Sequence, residues 1–191
     1  MSPTPASTVS FATLLRRFRR NRKGDAIVQF ALVAPMFFGL LFAIIETALM
    51  FLATQVLETV VQDSARAVFT GQAQTGGVQA CQVGGQSAAC TQTSFKNYVC
   101  SRIPALFDCG GIYVDVQSYN SFSAITINSQ ISGGAFVNNM QYNPGGPGDI
   151  VVVRVFYQWP LFVTGLGYNI ANLSGSQRLL VATAAFQNEP Y

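Results

Sequence analysis

At residue 24 a cluster of cations gives way, with no spacer, to a long apolar run: "RRNRKG" (19–24) is followed by "DAIVQFALVAPMFFGLLFAII" (25–45). From Ala26 to Ile45 no residue is charged, and Gln29 is the only strongly polar one. As a helix these residues reach about 30 Å, the thickness of a bilayer's hydrocarbon core. A secretory signal has an apolar region of about 7–15 residues before a small-x-small cleavage site. Here the run continues through "TALMFLA" without such a stop. A buried core helix would leave both the length and the flanking cations unexplained. The segment therefore reads as a retained anchor.

Charge distribution gives the topology. Arg16, Arg17, Arg19, Arg20, Arg22 and Lys23 precede residue 25, where there are no acids, and the remaining chain carries five cations against eight acids. Positive charge favours the cytoplasmic side, so the N-terminus is expected inside and the chain beyond about residue 47 outside. Basic clusters serve nucleic acid or membrane lipid. This one abuts an apolar span, and no basic-aromatic interleaving follows, so the expected contact is inner-membrane lipid and no nucleic acid. Only 10% of residues are charged, well below the roughly 25% usual for soluble domains.

Cys81, Cys90, Cys100 and Cys109 all fall on the expected outer side, where disulfides are permitted. Three connectivities are possible. Local pairing, Cys81 with Cys90 and Cys100 with Cys109, is preferred, each bond closing a loop of about ten residues and contributing roughly 2–3 kcal/mol. A zinc site fits less well, because the close C-x₂₋₄-C pairs and any histidine are missing.

The helical pattern outruns the membrane. Glu46 to Phe69 contains no Gly or Pro; Gln55, Glu58, Gln62 and Arg66 form one polar face, and Ala53, Leu57, Val60, Val61, Ala65 and Val68 an apolar side. A single helix is expected from about 26 to 69, stopped at Gly71, with Arg66 suited to its C-terminal end. Pro35 and Gly39 are expected to kink or soften its first half. Glu46, near the outer interface, is either an end marker for the span or a contact for a partner helix.

Residues 72–95 read as a Gly-, Gln- and Ser-rich loop, and "SFKNYVCSRIPAL" (94–106) as a short helix. Strand signals follow at 112–119, 123–131, 149–159 and 178–187, with "NPGGPGD" (143–149) a turn-rich break. The expected fold class is α+β: one long N-terminal helix packed on an extracytoplasmic, mostly antiparallel sheet. The organisation is a basic cytoplasmic leader (1–24), a transmembrane helix (25–47), a helix extension (48–70) and an outer domain (71–191). The sequon at Asn172 has meaning only in a eukaryotic secretory pathway, which nothing here supports.

Much chemistry is excluded. The chain has no histidine, so Ser-His-Asp and Cys-His catalysis and His-ligated metals are ruled out. No phosphate-binding G-x-x-x-x-G-K-[ST] run occurs. Asp108, Asp115, Asp149 and Glu189 are scattered acids read as solvated loop residues rather than a catalytic pair. The expectation is a non-enzymatic protein with no cofactor, no metal and no small-molecule substrate.

Cations, then Gly24, then an uncharged helix with a polar fifth residue resemble the class III signal peptide of type IV pilins. More narrowly, "KGDAIVQFALVAP", joined to a long helix bearing "ARAVFTGQAQ", and "KNYVC", "DIVVVRVFYQW" and the closing "NEPY", resemble TadE-type pseudopilins of the Tad (Flp, type IVb) pilus system. The resemblance implies cleavage by a prepilin peptidase between Gly24 and Asp25. It also implies an assembly helix bearing Gln29, Phe30, Pro35 and Glu46. The implied partners are other pilin-like subunits and the Tad secretion platform proteins. One departure stands out: family members often carry Glu at the fifth position, where this chain has Gln29, which hydrogen-bonds but carries no charge. Asp25 places a carboxylate at the first position instead. The expected role is a minor or priming subunit. The rival is an unprocessed single-span tether for a binding or adhesion module.

Overall fold

The computed structural model describes residues 24–103, 106–163 and 168–191. The chain divides into two compact units, one ending at Phe42 and the other spanning Ala43–Tyr191. The described part of the first unit is helical from Asp25 onward, and its large apolar side chains, from Ile27 to Phe42, are exposed. They belong to helix α1 (Asp25–Phe69), which passes Pro35 and Gly39 without interruption. Among the described residues, α1 alone is long and apolar enough to cross a membrane.

In the second unit, α1 turns a different surface inward. Ala53, Leu57, Val60, Val61, Ala65 and Val68 are all buried, whereas Gln55, Glu58, Gln62 and Arg66 face solvent, as the periodicity requires. Two short helices follow: α2 (Gln72–Thr75) and α3 (Gln92–Arg102). The strands are β1 (Ile112–Tyr119), β2 (Ile131–Ser132), β3 (Ala135–Phe136), β4 (Ile150–Pro160) and β5 (Gln177–Gln187). β1, β4 and β5 make an antiparallel sheet with β4 central, and β2 pairs with β3 in a separate hairpin. The architecture is α+β.

The register explains which residues make the core. Val114 lies opposite Val155 and Val116 opposite Val153 on one side; Ala182 lies opposite Val155 and Ala184 opposite Val153 on the other. These residues share one sheet face, and most fall in a single buried cluster with Leu57, Val61 and Val68 of α1 and Phe95 and Val99 of α3. The opposite face carries Phe156, Leu179 and the Asp115–Arg154 pair. Tyr113, Ile131, Phe136 and Met140 pack there, so the sheet is covered on both sides.

α3 begins two residues before the expected start because Thr91 and Ser94 form a capping box. The Thr91 hydroxyl accepts from Ser94 N–H at 3.2 Å, and Ser94 Oγ accepts from Thr91 N–H at 2.8 Å. It ends at Arg102, ahead of an extended Ile103 that precedes Pro104, a position from which helical backbone is sterically disfavoured. The expected strand at 123–131 is not formed. Residues Phe122–Ala124 make a 3-10 turn, and only Ile131 enters a strand. The cause is competition for an edge: Val116 of β1 already bonds Gln141 O and Asn143 N at 2.9 and 2.7 Å, so the outer edge of β1 is occupied.

α1 stops as expected, with Gly71 in the left-handed region at φ 74° and its N–H bonded to Val68 O at 3.1 Å. The C-terminal tail completes this stop. Glu189 N–H donates to Phe69 O at 3.0 Å, and the Tyr191 ring sits where a Gly71 Cβ would stand. Gly71→Ala should therefore cost about 1–2 kcal/mol through its positive φ. Tyr191→Ala in the same chain should recover little, because the positive φ at residue 71 remains; chemical unfolding of the detergent-solubilised chain checks both.

Tyr142 packs its ring on Phe95 with centroids 5.5 Å apart, and its buried hydroxyl meets no hydrogen-bonding protein atom among the described residues. Burial raises its pKa above the ordinary tyrosine value. A raised folded-state pKa means the neutral form is favoured by folding. That contribution is complete below about pH 10 and is lost as pH rises further. Tyr142→Phe should leave stability at pH 7 unchanged or raise it by about 1 kcal/mol. It should also flatten the alkaline fall in melting temperature above about pH 10.

Candidate functional site

The candidate site is the N-terminal junction and the helix behind it, with a folded unit built to hold the helix's far end. Gly24 lies in a 3-10 turn immediately before α1, and no described atom comes within 4 Å of where its Cβ would stand. Asp25 opens the helix, where a carboxylate suits the positive end of the macrodipole. One turn on, Gln29 Nε2 donates to Asp25 Oδ2 at 3.0 Å. The two polar groups at the head of the apolar helix thus satisfy one another, as an i, i+4 pair can. Phe30 and Pro35 are exposed on the same helix. Arg16, Arg17, Arg19, Arg20, Arg22 and Lys23 lie outside the described residues.

Glu46 does something the sequence reading did not foresee. Its side chain is only 6% exposed, and its carboxylate accepts the backbone N–H groups of Phe162 and Val163, the latter at 3.1 and 3.2 Å to its two oxygens. One residue on, Thr47 Oγ1 meets the Tyr168 hydroxyl. The first charge after the apolar run is therefore consumed inside the chain. Charge-assisted bonds to backbone N–H groups make such a buried carboxylate tolerable.

The cysteines come together in the locally paired arrangement. Cys81 and Cys90 lie at disulfide distance with Cα atoms 4.9 Å apart, and Cys100 and Cys109 likewise with Cα atoms 5.7 Å apart. The first pair closes the loop after α2, where Cys90 N–H also bonds Ala73 O at 2.7 Å. The second ties α3 to the start of β1.

Of the scattered acids, Asp115 proves to be structural. It lies directly opposite Arg154 across the β1–β4 ladder, and Arg154 Nε and Nη2 donate to Asp115 Oδ2 at 3.0 and 2.6 Å. Both side chains are buried. Gln117 Nε2 and Gln141 N–H supply the remaining donors to Asp115, and Arg154 Nη1 reaches Asn128 O at 3.3 Å. The pair therefore fastens the irregular 128–141 segment to the sheet. A sequence signal existed: an arginine in the middle of "IVVVRVFY" is so rarely buried alone that it calls for a partner. Asp149 serves the "NPGGPGD" turn, accepting Gly146 N–H at 2.8 Å. Among the described residues no group of three or more His, Cys, Asp or Glu is placed to hold a metal ion.

Two open grooves flank the C-terminal end of α1. One, of about 260 Å³, is lined by Asp63, Arg66, Tyr98 and Arg102, with the Arg102 guanidinium 4.5 Å from the Tyr98 ring centroid. The other, of about 460 Å³, lies between α1 and β5 and is lined by Gln62, Arg66, Phe69, Phe186 and Glu189.

A helix apolar enough to span a bilayer, continuing into a covered α+β unit, is consistent with a single-pass membrane protein. The family model TadE, described as TadE-like protein, matches residues 24–66, from Gly24 to the last turns of α1. That likeness is consistent with a TadE-type protein of the Tad pilus system. No curated protein and no solved structure matches the chain.

Proposed function

We propose that this chain is a membrane-anchored minor pseudopilin that takes part in assembling Tad/Flp-type (type IVb) pili, and that a prepilin peptidase removes residues 1–24. The carrying observation is the TadE-like match over residues 24–66, which starts at the glycine of the junction. The charge asymmetry supports an orientation with the N-terminus in the cytoplasm of a bacterial cell and the folded unit in the periplasm or on the pilus. The exposed apolar surface of residues 26–45 supports helix packing against other pilin-like subunits or the Tad platform. The protein acts by interaction and not by catalysis, in keeping with a chain that has no histidine.

Cleavage would make Asp25 the first residue and Gln29 the fifth. The Asp25–Gln29 hydrogen bond links the two polar side chains within one helix, using one oxygen of Asp25. Gln29 carries no charge with which to neutralise a neighbouring subunit's amine, and the Asp25 carboxylate stands at the first position rather than the fifth, which favours a priming or minor role over the bulk of a fibre. Quantitative mass spectrometry of purified pili checks this. Trace amounts of the chain are expected, and filaments built mainly from it would refute the minor role.

A further inference from the structure

The apolar surface of α1 does not end at Glu46. Past that residue the open side of α1 stays apolar: Leu49 is 45% exposed, Phe51 64% and Leu52 54%, and the next strongly polar exposed side chain is Gln55. From Ala26 to Leu52 the helix rises about 40 Å, against the roughly 30 Å of a hydrocarbon core. Glu46 does not interrupt this surface, because its carboxylate is turned inward onto the N–H groups of Phe162 and Val163. Those bonds fix residues 162 and 163 beside the same turn of α1. Phe162 there is 85% exposed, more than any other large apolar side chain described. Between Arg154 and Arg178 the sequence has no charged residue at all. An exposed ring held beside the end of an apolar span, in an uncharged stretch, has the chemistry of a membrane-interface anchor.

We propose that Phe162, with Leu49, Phe51 and Leu52, sits in the lipid headgroup boundary, so that the bilayer holds this protein by a loop as well as by its span. The inference rests on the single-span reading of α1. Lipid is the occupant because the apolar surface is continuous with the span. The Glu46 carboxylate is engaged within the chain and so does not break that continuity.

Trp159 is the chain's only tryptophan, so Trp159→Phe with Phe162→Trp places a single fluorophore at the site. The full chain is reconstituted in phosphatidylethanolamine–phosphatidylglycerol vesicles containing lipids brominated along the acyl chain. The expected result is blue-shifted emission and a roughly twofold loss of intensity with bromines near the headgroup. Leu52→Trp in the same Trp159→Phe background should give the same result from the helix side, independently of any change at 162. Phe38→Trp in that background reports the span itself. Water-like, unquenched emission at 162 and 52 with quenching at 38 overturns this proposal and leaves the span intact. No quenching at 38 overturns the single-span reading and the proposal with it. A blue shift at 162 that disappears as protein is diluted in lipid assigns the ring to a second copy and also overturns the proposal.

Discussion

Arg154→Leu should destabilise the folded unit by about 3–5 kcal/mol, the cost of leaving a buried charge without its partner. For a unit of this size that is a fall of roughly 10 °C in melting temperature. Asp115 would keep only Gln117 Nε2 and the Gln141 N–H as donors, having lost both guanidinium bonds. Asp115→Leu should cost a similar amount, because it strands the guanidinium between β4 and the 128–141 segment. The double replacement Asp115→Leu/Arg154→Leu should recover about 2 kcal/mol relative to either single variant, since it removes both charges together. Recovery stays incomplete because the Gln141 N–H loses its acceptor. Thermal melting of the three variants in detergent, followed by circular dichroism, measures the coupling. Simple additivity of the two single losses would show that the ion pair is not the fastener described above.

Gly24→Leu should abolish processing, leaving residues 1–24 attached in essentially every molecule. Among the described residues the change meets no obstacle: no described atom lies within 4 Å of the added Cβ, and the residue precedes α1. A loss of processing would therefore report on recognition by the peptidase and not on folding. Unchanged melting of the folded unit is the internal control. In a piliated host, the same variant should fail to support pilus formation. If processing and piliation are both unaffected, the pseudopilin reading is wrong.

Periodicity carried most of the fold. α1 runs Asp25–Phe69 where a helix over 26–69 was expected, and β1, β4 and β5 fall within a residue of their signals. These elements are legible because the residues that define them also face one core, so local preference and tertiary packing agree. The 123–131 segment misled because alternation says nothing about whether a free sheet edge exists. That information lies in residues 141–143, far along the chain. The Thr91–Ser94 capping box was hidden by its use of Ser where Glu or Gln is the usual third-position partner.

The site was less legible than the fold. Gly24, Asp25 and Gln29 stand out through the resemblance to pilin signal peptides, but the bond between Asp25 and Gln29 requires the helix to exist before it can be seen. Glu46 was read as an end marker or a contact for another helix. Its partners are backbone N–H groups more than a hundred residues away, and such groups have no sequence signature. Asp115 is one of the scattered acids expected in solvated loops, yet it lies within β1 on the sheet face that carries Phe156 and Leu179. Only the 128–141 cover makes that face an interior one.

The intact mass of the native chain, extracted from the membrane of its own host, tests the central claim most directly. A single species beginning at Asp25, with residues 1–24 absent, is the predicted result. A species retaining those residues would make the chain an unprocessed tether and contradict the account.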